Sequence, residues 1–485
     1  MITISNTEHW LFEQAFKHPN NTAIQTEKGF VTYQKFLEDS NLTANYLLSH
    51  NIMENNHVGI LFSHTYDFFV LINALWFIGA IPVPLNTRKT ANEIENEIQI
   101  ADIKFLIVDD LIKTLFSTLN FQNVLNINII MKHETRNHNL VIHNSRFIIH
   151  NSALIMFTSG STGIPKAVVH TFQSLYESVF ALDSFAELSP HDIWLASLPL
   201  YHIGGFMILI RSLLATSSVL FPDLLKLENI NQAIIQSNPT HISLVPTTLR
   251  NLVDQKVKPN KNLKFVFLGG GPSPTELITE AVNKSWPVVK VYGSTETCSM
   301  ITALRPNEIK SKPDSAGKLL GGNKIKITSM GKKETGEIVV SSKSLFKEYY
   351  NDRPTTNDKL QNSWYRTGDY GCIDDEGYLY FESRKDDLII SGGENIVPFE
   401  IEAVIKKHPM VKDVFVFTLQ DKIWEQIVCA AVVSENISDN TIKDFLKEKI
   451  ASYKIPKRIF ALNEIPRDEM DKVNRAELFK QLKLD

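Results

Sequence analysis

Cysteine is scarce in this sequence, and its scarcity argues against two classes of protein. The 485 residues include 3 cysteines, Cys298, Cys372 and Cys429, which lie far apart and form no C-x-x-C pair. Neither the disulfide framework of a small secreted domain nor a structural zinc site is therefore expected. The pattern is typical of a reducing compartment, and we expect the protein to be cytoplasmic.

Long hydrophobic runs are also lacking. The most apolar stretch, 68–85, is interrupted by Asn73, Gly79 and two prolines, so it is too short and too broken to cross a membrane. We predict a buried helix followed by a buried strand there. The opening residues, MITISNTEHW, contain neither a basic region nor an apolar core, so we expect no signal peptide and no stable membrane insertion.

Neither sign of charge is in large excess. The chain has 50 basic and 54 acidic residues, a formal net charge of -4, and no block of lysine or arginine. A nucleic-acid-binding surface is therefore not expected. With 43% hydrophobic residues the chain is globular, and its length is sufficient for more than one domain.

Short apolar runs alternate with helical patterns over the first 300 residues. Runs such as HVGILF, KFLIVDD and LKFVFLGGG are typical of buried strands, and several are separated by helices. The alternation predicts an α/β organisation with parallel sheets. We therefore predict a large N-terminal domain, 1–384, of β-sheets flanked by helices plus a β-subdomain. A small α+β domain is predicted over 385–485.

Two helices are predicted in more detail. Thr32 begins a helix that carries Leu37, Ala44 and Leu48 on its apolar face. In the small domain, a helix is predicted over 439–451.

The segment TSGSTGIPK carries the clearest chemical signal. It lies between two apolar runs, which predicts a strand, a mobile loop and a second strand. Glycines let a backbone wrap a polyanion, while hydroxyls, amide N–H groups and a lysine can bind phosphate oxygens. Its glycine spacing differs from that of the P-loop. A flexible Ser/Gly hairpin turn is the structural alternative. The residues concerned are Thr158, Ser159, Gly160, Ser161, Thr162, Gly163 and Lys166.

Two further segments follow apolar strands. In LGGGPSP, three consecutive glycines let a flat ring approach the backbone, and α/β proteins bind ligands at the C-terminal ends of strands. In YGSTET, Tyr292 can stack on a base, Thr295 can donate to a phosphate, and Glu296 can hold the magnesium that accompanies a triphosphate. A strand-to-helix turn and a loop with a surface glutamate are the respective alternatives.

The last third of the chain contains three more candidates. Asp369 lies in YRTGDYG, and a carboxylate in a tight turn can accept both ribose hydroxyls, although an Asx-type turn is the simpler explanation. Arg384 can reach ribose or phosphate. Lys472, in RDEMDKVNRAEL, would by itself be an ordinary surface lysine.

Taken together, these segments resemble the adenylate-forming superfamily of acyl-CoA synthetases, luciferases and adenylation domains. TSGSTGIPK, YGSTE, YRTGDYG and the terminal lysine occur in the family's order, and the resemblance covers essentially the whole chain. The resemblance implies binding of ATP and Mg²⁺ between a large domain and a small mobile C-terminal domain, with CoA as co-substrate. It also implies two steps, formation of an acyl-adenylate and transfer of its acyl group.

The resemblance assigns a role to each matching residue. Lys472 would bridge the substrate carboxylate and the α-phosphate, Glu296 would meet magnesium, Thr158 and Thr295 would act with them, and Asp386 would be the hinge. The ATP site would comprise Thr158, Ser159, Gly160, Ser161, Thr162, Gly163, Lys166, Gly270, Gly271, Pro272, Tyr292, Gly293, Thr295, Asp369 and Arg384. The loop presented to CoA would comprise Gly392, Gly393, Glu394 and Asn395.

Within the superfamily, the motifs look most like those of the o-succinylbenzoate–CoA ligases of menaquinone biosynthesis, and the length agrees. That acid has a second carboxylate, for which Arg211 in an apolar helix is the candidate anchor. His202 and Ser294 are predicted to line the acyl pocket. An arginine snorkelling at the helix edge and a core histidine are the alternatives. Ser294 departs from the Met or Leu that many relatives carry there.

The motifs leave other activities open. A CoA ligase for another aryl or medium-chain acid, a stand-alone adenylation domain and a luciferase-like oxygenase would share them. An inactive binding protein is disfavoured by the intact Lys472, Glu296 and Asp369. The expected partners are small-molecule substrates, and the resemblance also favours a homodimer.

Overall fold

The structure is a computed structural model, and it describes most of the chain. The described residues are 8–27, 29–62, 65–115, 119, 121–132, 148–158, 165–223, 225–271, 273–328, 335–384, 389–391, 394–396, 398–421, 425–434, 438–447, 449–450 and 452–484.

The helices and strands are labelled in chain order. The helices are α1 (Trp10–Lys17), α2 (Tyr33–Ser49), α3 (Tyr66–Phe77), α4 (Ala91–Ile100), α5 (Asp110–Leu115), α6 (Ile127–Lys132), α7 (Phe172–Ala186), α8 (Ile203–Leu214), α9 (Leu227–Gln236), α10 (Pro246–Asp254), α11 (Thr275–Asn283), α12 (Arg353–Lys359), α13 (Pro398–Ile405), α14 (Asp439–Lys447) and α15 (Arg475–Leu482). The strands are β1 (Thr22–Thr26), β2 (Gly29–Thr32), β3 (His57–Leu61), β4 (Ile81–Pro84), β5 (Phe105–Val108), β6 (Val124–Asn126), β7 (Ser152–Thr158), β8 (Lys166–Thr171), β9 (Ile193–Leu195), β10 (Ser218–Leu220), β11 (His241–Leu244), β12 (Phe265–Leu268), β13 (Val288–Ser294), β14 (Ser299–Leu304), β15 (Lys318–Leu319), β16 (Lys324–Thr328), β17 (Gly336–Ser341), β18 (Glu348–Tyr349), β19 (Leu360–Gln361), β20 (Trp364–Ile373), β21 (Leu379–Arg384), β22 (Ile389–Ser391), β23 (Glu394–Ile396), β24 (Val411–Asp421), β25 (Glu425–Ser434) and β26 (Arg458–Leu462).

The chain divides into two compact units. The first comprises Met1–Lys324 and Ser341–Tyr365, and the second comprises Ile325–Val340 and Arg366–Asp485. The strands of the predicted β-subdomain, β16, β17, β20 and β21, therefore lie almost entirely in the second unit. The division at 384/385 that the sequence suggests stays a prediction.

A nine-stranded sheet forms the centre of the first unit. Its strand order is β15-β14-β13-β12-β11-β9-β10-β1-β2. The strands from β13 to β1 run parallel to their neighbours, and antiparallel pairs complete both edges. Helices α7 and α8 pack against this sheet, where Leu182 and Ile208 join Trp194 and Phe267 in one buried cluster. The mixed fold of helices and sheets is the predicted one.

Two smaller sheets complete the first unit. The parallel sheet β4-β3-β5-β6 adjoins α3, whose residues from Phe68 to Phe77 are all buried. The predicted buried helix and strand over 68–85 are therefore confirmed as α3 and β4. The third sheet, β18-β8-β7, carries the ends of the glycine-rich loop. No helix in the described part of the chain is long and apolar enough to cross a bilayer.

Helix α2 shows where a local pattern was right and where it was wrong. Thr32 is its N-cap and accepts a hydrogen bond from the amide of Lys35, as the sequence predicts. Ala44 is buried, but Leu48 is 40% exposed. The buried face instead continues through Leu47.

The second unit contains two sheets. Strands β16, β17, β20 and β21 form one sheet, and the first residues of β20, still in the first unit, also pair with β19. The other sheet has the order β23-β22-β25-β24, with β26 beside β25. Helices α13 and α14 contribute Ile401, Ile405 and Ile442 to its core. Helix α14 ends at Lys447, four residues before the predicted end.

Candidate active site

The hairpin β7–β8 brings the two ends of the glycine-rich loop together. Thr158 is the last residue of β7, Lys166 is the first residue of β8, and the two are direct partners across the antiparallel pair. The strands on either side are buried, with Met156 and Val168 fully covered. The predicted strand–loop–strand arrangement is confirmed at its strands. Residues 159–164, which carry the remaining loop predictions, lie outside the described part of the chain.

The glycine-rich turn and Tyr292 lie at the same edge of the large sheet. Strand β12 ends at Leu268, which pairs with Lys290 of the parallel neighbour β13. Gly270 then adopts a φ of 89°, in the left-handed region that favours glycine. Because parallel strands present their C-terminal ends at one edge, Gly270 and Gly271 follow β12 where Tyr292 continues β13. Pro272 lies outside the described residues.

The motif suggested that Tyr292 follows a strand. In the structure Tyr292 lies within β13. The strand continues to Ser294 and turns back antiparallel as β14, with Ser294 opposite Ser299. Gly293 is required at the close approach of the two strands, because a Cβ there would lie 1.8 Å from the carbonyl oxygen of Ser299. The turn then passes through Cys298 and Ser299, at φ values of 57° and 82°. Residues other than glycine rarely adopt this left-handed backbone conformation, so other contacts must stabilise it.

Four successive carbonyl oxygens of this turn each accept a hydrogen bond from elsewhere in the first unit. His170 Nε2 lies 2.9 Å from the Thr295 oxygen, and the amide of Phe346 lies 2.9 Å from that of Glu296. Ser344 Oγ donates to the Thr297 oxygen at 3.1 Å, and Ser178 Oγ donates to the Cys298 oxygen at 2.6 Å. We refer to residues 295–298 with these four donors as the clamped turn. Its backbone is held on all sides.

Glu296 is a buried carboxylate without a basic partner in the described part of the chain. Its side chain is 9% exposed, and its Oε1 accepts a hydrogen bond of 2.9 Å from the Tyr349 hydroxyl. Among the described residues no other side chain donates to it, and no lysine or arginine forms an ion pair with it. A buried anion with a remaining oxygen fits a hard cation such as Mg²⁺.

The ligands available to such a cation are few. Among the described residues, no group of three or more His, Cys, Asp or Glu side chains could hold a metal ion. One carboxylate agrees with the way Mg²⁺ is bound beside phosphates, where water and phosphate oxygens complete the coordination.

Lys166 lies over the ring of Tyr349, the residue whose hydroxyl contacts Glu296. Its Nζ is 5.3 Å from the centre of the Tyr349 ring, within the range of a cation–π interaction. The same aromatic side chain therefore contacts the lysine of the glycine-rich segment and the carboxylate of YGSTET. Lys166, predicted for the ATP site, and Glu296, predicted for the metal, therefore both contact a residue that sequence reasoning did not identify.

Arg211 is fully buried in α8 and has no acidic partner in the described part of the chain. Its Nη2 donates to Ser299 Oγ at 3.0 Å, and its guanidinium lies 5.6 Å from the Trp194 ring centre. Nε and Nη1 are buried and have no hydrogen-bond partner among the described residues. Burial lowers the pKa of Arg211 to about 10, so it remains charged at neutral pH. It does not snorkel to the surface.

The other two predicted acyl-pocket residues, His202 and Ser294, lie next to α8 and opposite Ser299, respectively. His202 is the half-buried residue that precedes α8, the helix of Arg211. Ser294 pairs in register with Ser299, the hydrogen-bond partner of Arg211. Its Oγ is buried and has no partner among the described residues. Their contact with an acyl group stays a prediction.

Asp369 and Arg384, the two predicted ribose residues, are direct partners on β20 and β21 of the second unit. Asp369 is 5% exposed. It lies inside a ten-residue strand, so the predicted tight turn is wrong. The local signal came from Gly368, whose φ of 76° bends the strand without ending it. Directly opposed residues can act on one ligand.

Lys472 occupies a tight loop in the second unit. The amide of Lys472 donates to Asp468 Oδ1 at 2.9 Å, the amide of Asp468 donates to the Lys472 oxygen at 2.8 Å, and the side chain is exposed. Asp386, Gly392 and Gly393 lie outside the described residues, while Glu394 and Asn395 belong to β23. Their hinge and CoA-step roles stay predictions.

Comparison with known proteins identifies the family. A family model described as AMP-binding enzyme matches residues 11–350, and one described as AMP-binding enzyme C-terminal domain matches residues 400–472. The chain belongs to the AMP-binding enzyme family.

Similar proteins cover this AMP-binding enzyme almost end to end. A 2-succinylbenzoate–CoA ligase of Bacillus subtilis (strain 168) is 32% identical over 483 residues, 98% of each chain. The solved structure of the Bacillus subtilis o-succinylbenzoate CoA synthetase with the acyl-adenylate intermediate OSB-AMP matches with a TM-score of 0.90, 32% identity and 98% coverage of both chains. A structure of that enzyme with ATP and magnesium ion matches with a TM-score of 0.88 at 32% identity, over 97% and 98% of the chains.

Sequence reasoning missed residues that hold the backbone of this enzyme's clamped turn and the Glu296 side chain. His170, Ser178, Ser344 and Tyr349 lie 47 to 125 residues from the turn residues they contact. Their local sequence gives little signal. For His170 and Ser178, a polar residue at a buried position of an otherwise apolar strand or helix was the available clue.

A separate cavity of about 170 Å³ lies elsewhere in the first unit of this enzyme. It is lined by residues including His9, Trp76, Ser152 and Phe172. Ser152 and Thr158 are the two ends of β7, so the cavity residue Ser152 lies roughly 20 Å from Thr158 at about 3.3 Å per residue. None of the predicted site residues lines it.

His241 is a buried group whose charge state affects the stability of the first unit. It stacks on Trp194 with ring centres 4.5 Å apart, and its Nε2 has no partner among the described residues. Burial lowers its pKa to about 4, with Lys264 and Arg211 adding to the effect and Asp192 opposing it. His170 has the same shift for the same main reason.

Replacing His241 by Phe should reduce the decrease in the free energy of unfolding as the pH falls. As the pH falls from 6.5 to 4, the unfolded histidine gains a proton first, so the folded state loses stability on the order of 3 kcal/mol for this group. The His241→Phe variant keeps an aromatic ring but lacks this loss. Urea unfolding followed by tryptophan fluorescence between pH 7.5 and 4.5 measures the difference, and His170 contributes equally to both proteins. Parallel pH profiles would contradict the assignment.

Proposed function

We propose that this enzyme ligates CoA to 2-succinylbenzoate in two steps, as a part of menaquinone biosynthesis. In the first step, a carboxylate oxygen attacks the α-phosphorus of ATP, giving an acyl-adenylate and diphosphate. In the second, the CoA thiol, having given up its proton, attacks the acyl carbon and AMP leaves. The products are 2-succinylbenzoyl-CoA, AMP and diphosphate.

The adenylation step needs two anions to meet, and the candidate site offers groups that offset their repulsion. The resemblance assigns Thr158 through Lys166 to the β- and γ-phosphates, and Thr295 to a phosphate. Lys472 would neutralise charge that develops between the carboxylate and the α-phosphate. Glu296 would hold Mg²⁺, which when bound supplies further neutralisation of the phosphate oxygens.

One observation favours a dicarboxylic acid in particular. Arg211 is a fully buried cation in the described part of the chain, with one hydroxyl partner, one aromatic neighbour and two nitrogens, Nε and Nη1, that have no hydrogen-bond partner. Burying such a charge costs several kcal/mol unless an anion compensates it. The second carboxylate of 2-succinylbenzoate is an anion that can accept charge-assisted hydrogen bonds from such a guanidinium. The names of the similar proteins in Bacillus subtilis agree with this substrate.

The second step would use the small domain in another position. Asp386 would be the hinge, and the segment from Gly392 to Asn395 would face the CoA arm. Asp369 and Arg384 would hold the ribose. We also propose a cytoplasmic location and a homodimer.

The test is formation of AMP and acyl-CoA from ATP, CoA and a panel of acids. We expect a strong preference for 2-succinylbenzoate over benzoate, 4-coumarate and octanoate. Preference for another acid would overturn the assignment of 2-succinylbenzoate as substrate but leave the two-step mechanism unchanged. Adenylation without CoA-dependent release of AMP would instead favour a stand-alone adenylation domain, and a control without CoA separates the two.

Arg211→Met should remove the preference for the dicarboxylic acid. The methionine fills a similar volume without charge, so kcat/KM for 2-succinylbenzoate should fall about 10²- to 10³-fold, the cost of losing one partner of a buried ion pair. The rate with 4-coumarate should change little. Arg250→Met, at a surface ion pair with Glu280, is the matched control. A uniform loss with both acids would show that Arg211 does not recognise the second carboxylate.

Lys472→Ala should slow adenylation about 10²- to 10³-fold, the effect of losing one preorganised charge-stabilising group. Acid-dependent release of diphosphate measures this step alone. Lys447→Ala is the control, because Lys447 forms an exposed ion pair with Asp444 on α14. An unchanged rate in the Lys472 variant would remove this lysine from the mechanism.

A further inference from the structure

Tyr349 contacts two residues that are predicted to act on ATP and its Mg²⁺, Lys166 and Glu296. Its hydroxyl donates to Glu296 Oε1 at 2.9 Å, and Lys166 Nζ lies 5.3 Å from its ring centre. No motif in the sequence drew attention to it.

The position of Tyr349 is itself tightly defined. Strand β18 pairs with β8, so that Tyr349 lies opposite Val168. Its ring packs against Phe346 at 4.7 Å between centres, and its amide donates to Thr356 Oγ1 at 3.0 Å. The hydroxyl of Tyr365 also forms a hydrogen bond with that of Tyr349. The side chain is 2% exposed, so it has little freedom to move away from Glu296.

The chemistry of the two groups gives this contact a definite direction. An ionised carboxylate can only accept hydrogen bonds, whereas a phenol carries a hydrogen that it can donate. The Tyr349 hydroxyl therefore donates the hydrogen bond and Glu296 Oε1 accepts it. Hydrogen bonds to a charged acceptor are stronger than those between neutral groups. With one oxygen of Glu296 held by Tyr349, the other is left to meet a cation.

We propose that Tyr349 is a positioning residue, which fixes the Glu296 carboxylate for Mg²⁺ bound with ATP and supports Lys166 with its ring face. This inference rests on the proposed function only in taking Glu296 as the metal-binding carboxylate. It does not depend on which acid is the substrate. Tyr349 acts through Glu296 and Lys166 and need not touch ATP itself.

The test measures how much Mg²⁺ strengthens binding of α,β-methylene-ATP, which the enzyme cannot cleave between the α- and β-phosphates. Calorimetric titration gives Kd with excess Mg²⁺ and with EDTA, and their ratio is the metal enhancement. Tyr349→Phe keeps the ring but removes the hydroxyl, so the enhancement should fall about tenfold while Kd in EDTA stays near the wild-type value. A purely structural role would weaken both values equally.

Tyr350→Phe is the matched control. Tyr350 is the next residue, its ring meets His57 edge-on at 4.8 Å, and its hydroxyl forms no hydrogen bond within the described part of the chain. Its metal enhancement should equal that of the wild type. Tyr349→Leu should additionally raise Kd in EDTA, because it removes the ring face beside Lys166.

A double-mutant cycle with Glu296→Gln tests whether the effect passes through the carboxylate. Once Glu296 is neutral, loss of the Tyr349 hydroxyl should cost little more, so the two effects should not add. If Tyr349→Phe folds poorly, Tyr365→Phe replaces it, because this change loosens the Tyr349 hydroxyl without removing it, and about a threefold loss is expected. Additive effects in the cycle would overturn the proposal.

The outcomes separate this inference from the proposed function. No acid is present in the titrations, so the substrate assignment cannot affect them. An undiminished metal enhancement in Tyr349→Phe, or no enhancement in the wild type, overturns the positioning role. The acid panel can then still succeed or fail independently.

Discussion

The hydrogen bonds that hold the clamped turn are the constraint on which the rest of the first unit's site depends. Cys298, the last residue of the turn, and Ser299, the residue after it, both have left-handed backbone, a conformation that costs free energy for residues other than glycine. It persists because the four carbonyl oxygens from 295 to 298 all find donors outside the turn. Those donors come from β8, α7 and the segment before β18. Elements far apart in the chain therefore determine where Glu296 points.

The clamped turn also explains how an unfavourable charge distribution is tolerated. Glu296 and Arg211 are both buried, and neither has an ion-pair partner of opposite sign in the described residues. Each carries a desolvation cost that the fold alone does not repay. Rigid, incompletely satisfied charges are what a site needs if ligands are to complete it, because the groups need not reorganise when the ligand binds. Under the proposed function, Arg211 would bind the second carboxylate and Glu296 would bind Mg²⁺.

Local patterns in the sequence identified the elements of the site well and their contacts poorly. The strand–loop–strand segment at Thr158 and Lys166 could be predicted because alternation of apolar runs and glycines is a local signal. Asp369 shows the limit of such signals. Its flanking glycines indicated a turn, but pairing on both sides keeps β20 extended through a single left-handed glycine. Its position opposite Arg384 depends on strand register, which neither residue's neighbours encode.

Contacts across long chain separations were beyond the sequence for the same reason. Tyr349 contacts Glu296 across 53 residues, and His170 contacts Thr295 across 125. The local sequence around a residue does not show which distant residues it contacts in the folded chain. Arg211 was identified because a charge in an apolar helix is itself anomalous. Its partner Ser299 was not, since a serine at a strand end is unremarkable.

Under the proposed function, the short hairpin between β13 and β14 would link recognition of the acid to activation of ATP. Glu296 lies in the turn, and Ser299, three residues after Glu296, accepts a hydrogen bond from Arg211 of α8. The carboxylate and the contact that holds the guanidinium therefore belong to one short piece of backbone. Under the proposed function, a dicarboxylic acid anchored at Arg211 has its other carboxylate at a distance set by its own carbon skeleton. Only an acid of the right length then brings that carboxylate to the α-phosphate, because small displacements of reacting atoms cost large factors in rate. Selectivity for the acid would arise from this fixed span as well as from charge.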